Sequence, residues 1–235
     1  MTRFTKTALF LLAALLWSGF VGMSGMVQVN SLPYFSNLAG DSFVLEKGAV
    51  GQTWWWQAAL IVHVVAGLVC LFAVVLQFFR GVWRRYPWLH RWLGRIYAWS
   101  VLVVLVPTGM VLAPFAKGGL EASLGFMLNG TLAFVFTLMG LNAMRGKDVQ
   151  RHVRWMIRSF ALIASALTFR VLHILLFYTG MEYETNYVLS IWLSTLGNLL
   201  IAEMILYRMT PKAKRSGRRV SLSSVTEPTN HPATK

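Results

Sequence analysis

The run Ala161-Leu162-Ile163-Ala164-Ser165-Ala166-Leu167-Thr168-Phe169-Arg170-Val171-Leu172-His173 decides the fold. Apart from its cation it reads as part of a membrane-spanning helix. Insertion scales put a central arginine at roughly +2.5 to +3.5 kcal/mol, so such a residue normally faces the interior of a bundle and marks a site or a structural partner. His173, one turn on, shares the helix face of Arg170.

Working outward, the chain has 235 residues, of which 56% are hydrophobic and 13% charged, with 10 tryptophans. That composition defines an integral membrane protein. The net charge of +14 invites a nucleic-acid reading, but the basic residues stand in short clusters between apolar runs rather than on one soluble face. Cys70 is the single cysteine and lies in an apolar stretch, which excludes an intrachain disulfide framework and a Cys-based metal site and leaves packing as its role.

Six apolar stretches match the hydrocarbon thickness of a bilayer, near residues 7–27, 55–79, 92–112, 123–143, 156–177 and 187–207. The expected fold class is therefore all-α: an integral membrane bundle of six transmembrane helices spanning residues 1–210, followed by a basic, disordered tail over 211–235. The first stretch follows Arg3 and Lys6 in the manner of a signal peptide, but it runs past Met26 without an A-x-A site and reads as a retained helix. All of the 22 Lys and Arg except Lys47, Lys117 and Arg170 fall on one side of this arrangement. The positive-inside rule then makes both termini cytoplasmic. The loop over 28–51 is long enough to cover the outer mouth, and Trp54-Trp55-Trp56 reads as an interfacial aromatic anchor.

Depth follows from a rise of about 1.5 Å per residue. His63 falls about 6 Å, Arg170 about 5 Å and His173 about 9 Å to the outer side of the midplane, with Thr108 and Asn129 at comparable depth. An inner layer holds His90 and Arg91 at the start of the third span, His152 before the fifth, Arg158 in its first turn and Glu203 near the end of the sixth. Arg158 and Glu203 lie within about 4 Å in depth, which suits a structural ion pair. Glu203 is about 13 Å deeper than Arg170, so the partner of Arg170 is a backbone carbonyl, Asn198 or an anionic ligand.

Imidazoles ligate transition metals and haem, and two of them on facing helices can clamp a haem iron. His63 and His173 are the outer candidate ligands, with room for a flat macrocycle beside Gly67 and with Arg170 as contact for a propionate. His90 and His152 are a second, inner candidate pair, which would complete an electron path across the membrane. For each histidine the plain alternative is a hydrogen bond to a neighbouring helix or an interfacial position. Phosphate-loop, zinc-helix and nucleophile-elbow motifs are absent.

The strings Leu89-His90-Arg91-Trp92-Leu93-Gly94-Arg95-Ile96-Tyr97 and Arg151-His152-Val153-Arg154-Trp155-Met156-Ile157-Arg158-Ser159-Phe160-Ala161-Leu162, followed by Thr168-Phe169-Arg170, resemble the bacterial membrane proteins grouped as domain of unknown function family 2306. His63 with Gly67, and the segment 198–203, fit the same pattern. The resemblance covers residues 58–207 and implies the bacterial inner (cytoplasmic) membrane, but no activity. His-Arg-x-x-Gly at a helix start is also loosely similar to transmembrane b-type cytochromes, which implies His90 as a haem ligand.

Three functional classes stand. The first is a haem b-binding electron-transfer protein, with a quinone or another membrane redox partner. The second is a small-ligand or ion transporter that uses the pocket around Arg170. The third is a structural or assembly subunit of a membrane complex.

Overall fold

A computed structural model describes residues 42–78 and 84–209, together with Gly19 and Gly22. The expected first helix over 7–27 and the basic tail over 211–235 lie outside the described residues. Among the described residues there is no strand, and five helical segments are long and apolar enough to cross a membrane.

Two short helices come first, α1 (Ser42–Leu45) and α2 (Gly48–Gly51). The spanning helices follow: α3 (Trp54–Phe78); α4 (Pro87–Trp99), continued through a π-helical turn (Ser100–Leu105) into α5 (Val106–Leu112); α6 (Gly119–Arg145); α7 (Val149–Phe177); and α8 (Tyr183–Met209). Most of them outrun the apolar stretches by a turn or more. Terminal residues such as Arg145, Arg151 and Arg208 stay helical while their charges reach the interface.

Successive helices alternate in direction. Gln77 Nε2 donates to the His90 carbonyl while His63 pairs with Leu105, which sets α3 antiparallel to α4–α5. Asp148 caps α7 by accepting the Arg151 N–H at 2.9 Å. Lys147, just before it, adopts φ 58° and closes α6 with hydrogen bonds from Lys147 N to Met144 O and from Asp148 N to Ala143 O.

Packing runs on small residues and interlocked aliphatic side chains, as expected where lipid offers no hydrophobic drive between helices. Ala66, Cys70, Val74, Leu93, Tyr97, Val101, Leu105, Ala133, Leu162 and Leu167 form one buried cluster between α3, α4–α5, α6 and α7. Cys70 is fully buried in it. Gly140 lets α6 and α7 approach closely, because a Cβ there would meet Met156 Sδ at 2.7 Å.

The far end, opposite the arginine-rich turns, is covered by α1–α2. Val44 and Trp56 are buried there with Leu60, and the Trp triplet splits: Trp54 is 80% exposed while Trp56 is 1% exposed. A clasp holds the segment down. Lys47 Nζ donates to the Phe115 carbonyl at 2.6 Å, and Lys117 Nζ pairs with Glu46 at 2.7 Å and lies 4.6 Å from the Tyr183 ring. The Glu46 hydrogen bond raises the Lys117 pKa, whereas burial lowers that of Lys47. A raised lysine pKa adds stability that is complete below the unfolded value of 10.5 and is lost as pH climbs through the folded value. The Lys117 contribution to the clasp should therefore be unchanged between pH 7 and 9. Glu46→Gln should loosen it by up to about 1 kcal/mol, read as faster amide exchange over residues 42–51.

Candidate functional site

Polar side chains are distributed along the bundle axis in three layers, and α7 contributes to all of them.

In the outer layer, the π-turn and Pro107 make the local geometry. The N–H of Val106 reaches back to Val101 O in the wide pattern, and proline cannot donate at all, so the carbonyls of this stretch are available to side chains. Thr108 Oγ1 donates to Val104 O at 2.7 Å. His63 Nδ1 lies 3.0 Å from Leu105 O and 3.2 Å from Thr108 Oγ1. A carbonyl only accepts, so in the neutral ring Nδ1 carries the proton and Nε2 keeps the lone pair. Gly109 gives the ring its room, because a Cβ would sit 3.0 Å from His63 Cε1 and press on it. Arg170 Nη1 donates to Ala166 O on its own helix, at 2.8 Å.

His173 is partnered separately. Its Nδ1 donates to Asn186 Oδ1 at 3.0 Å, and Asn186 Nδ2 donates back to the His173 carbonyl at 3.0 Å. Ser190 adds a third bond to the Asn186 amide oxygen, and Asn186 is fully buried. Phe169 stacks on the His173 ring, with Tyr183 and Tyr187 edge-on. His63 therefore works against α5 and His173 against α8. The space beside Gly67, expected to admit a macrocycle, faces the side chain of Leu105 at contact distance.

The middle layer is a directional hydrogen-bond chain. Thr137 Oγ1 donates to Ala133 O at 2.7 Å, so it accepts from Ser159 Oγ at 2.6 Å, which in turn accepts from Tyr97 Oη at 2.7 Å. All three side chains are buried. Slightly farther out, Asn129 Oδ1 receives Ser165 and Thr195, while Asn198 accepts from Thr168 and donates to Ala161 O. Asn198 is thus occupied away from Arg170.

At the basic end, Arg158 grips Glu203 with two bonds, at 2.5 and 2.9 Å. Beside this pair, His152 Nδ1 donates to Gly140 O at 2.8 Å, which again leaves Nε2 as the lone-pair nitrogen. His90 lies within electrostatic reach of His152, and its Nδ1 is buried without a hydrogen bond. The register explains the meeting. His90 precedes Tyr97, and His152 precedes Ser159, by two helical turns, about 10 Å, so the faces joined by the Tyr97 to Ser159 bond also carry the two imidazoles.

The site reading from sequence missed Tyr97, Ser159, Thr137 and Asn186. Tyr97 and Ser159 stand in the quoted motifs at heptad distance from the histidines, which is the signal that finds them. Among the described residues no group of three His, Cys, Asp or Glu side chains converges.

Antiparallel helices with paired polar layers define a multi-pass, membrane-spanning α-helical protein. Its sequence belongs to the family described as predicted membrane protein DUF2306, whose profile matches residues 60–206, from within α3 to the last turn of α8. No curated protein and no solved structure matches the chain.

Proposed function

We propose that the bundle is a haem b-binding electron-transfer protein whose ligands are His90 and His152. The observation that supports this is the inner pair itself: two imidazoles on neighbouring helices at one depth, one with Nδ1 fixed on a backbone carbonyl and the other with a ring nitrogen buried and unpaired. A ligating histidine typically donates its second ring N–H to a carbonyl or carboxylate, which fixes both tautomer and ring direction. A buried orphan nitrogen costs about 1–3 kcal/mol, which ligation or a hydrogen bond from a bound group would relieve. Two imidazoles would suffice to hold a haem iron, which suits histidines that come in twos.

Bound there, haem would supply one-electron chemistry. The chain's own residues would tune it: Gly140 orients His152, and the Arg158–Glu203 pair sets the local charge. In this reading the protein sits in the bacterial inner membrane with the basic end and both termini cytoplasmic, and a quinone or another membrane redox protein is its partner. The absorbance spectrum of protein purified from cells supplied with haem tests it. A Soret band with sharp reduced α and β bands is expected, and a colourless preparation rejects the reading.

A second reading rests on the outer layer. Arg170 and His63, close enough to interact across α3 and α7, would contact an anionic small ligand, with His173 held aside as an α7–α8 linker. Arg170→Leu then yields a folded protein that has lost ligand retention and kept its spectrum.

A further inference from the structure

Beside the α6–α7 turn at the basic end lies a groove of about 650 Å³. Its wall is apolar toward the centre of the bundle, where Met139, Ala143 and Trp155 line it, and polar toward the end, where Asn142, Asp148 and Arg151 form the rim. Phe136 packs on Trp155 at 5.5 Å and closes the deep side. Arg145 and Lys147 stand at the turn and Arg154 follows in α7, whereas the turn's one acid, Asp148, caps α7 and lies 4.0 Å from the Arg151 guanidinium. Asn142 and Arg151 are exposed, so the groove opens sideways rather than into the bundle.

We propose that this groove binds one anionic phospholipid, with its phosphate at Arg151 and Asn142 and an acyl chain along Met139, Ala143 and Trp155. The gradient from cationic rim to apolar wall runs parallel to that of a lipid molecule. Basic pockets between transmembrane helices select anionic headgroups, and tryptophan is favoured at the level where headgroup meets chain. A soluble phosphate would use the rim and leave the apolar wall uncovered. The inference does not rest on haem: no lining residue is a proposed ligand, although His152 stands one turn from Trp155 and bonds Gly140 beside the wall.

Native mass spectrometry of the full chain in detergent, titrated with phosphatidylglycerol or phosphatidylcholine, tests it. One phosphatidylglycerol should be retained in preference to phosphatidylcholine. Removing one cation near a charged surface weakens such binding on the order of fivefold, which is the expectation for Arg151→Gln. Asn142→Glu, on an exposed helix face, should weaken phosphatidylglycerol similarly and leave phosphatidylcholine unchanged. Equal retention of the two lipids, or unchanged phosphatidylglycerol binding in both variants with native circular dichroism, overturns the proposal. Displacement of the lipid by millimolar inorganic phosphate overturns it as well, since the rim alone would then be the site.

Discussion

His90→Ala and His152→Ala are each expected to abolish the reduced α-band of the purified protein while leaving helical content and detergent-solution size unchanged. The reason lies in the two-ligand requirement of the proposed site: His90 and His152 would hold the iron together, and losing either imidazole would break that hold. His152→Ala also removes one donor from the buried Gly140 carbonyl, but that group lies within the helical ladder of α6, so the loss is about 1 kcal/mol. Two controls separate ligation from folding. His63→Ala should keep the band, because that ring answers to Leu105 and Thr108 at the other end of the bundle. His90→Ala supplied with free imidazole should regain part of the absorbance. If His63→Ala bleaches the protein while His90→Ala does not, the cofactor assignment to the inner pair is wrong.

The largest loss of stability is expected at Asn186. Its side chain is fully buried and joins three groups: the His173 ring, the His173 carbonyl and the Ser190 hydroxyl. Asn186→Ala strands all three and opens a small cavity where α7 meets α8. Interhelical hydrogen bonds in membranes average well under 1 kcal/mol each, but stranded buried polar groups and the void add to that, so a total of about 2–4 kcal/mol is expected. Thermal unfolding in detergent measures it, with exposed Leu200→Ala as the neutral control. A midpoint unchanged by Asn186→Ala would mean that water reaches this junction and substitutes for the amide.

Hydropathy carries the five described spans directly, because a run of apolar residues long enough to cross a membrane has few other stable forms. Depth is partly legible: counting residues puts Arg158 level with Glu203, and the two are paired. Azimuth is what the sequence withholds. Periodicity reports how far along an axis a residue lies, but not which neighbour its face meets, so His173 turns out to serve α8 through Asn186. The π-turn at Ser100–Leu105 adds a residue to one helical turn and rotates everything beyond it, including Thr108 and Gly109. Small side chains mislead in the same way. Gly67 reads as vacant room, yet a neighbouring leucine, whose reach depends on that rotation, packs against it.

The row from Tyr97 through Ser159 to Thr137 finishes on the Ala133 carbonyl, a group with no hydrogen to hand on. Each hydroxyl is locked in one sense by the next, and the last acceptor is a dead end. This row of hydroxyls therefore hands no proton on beyond the Ala133 carbonyl, and serves to lock α4, α6 and α7 in one register.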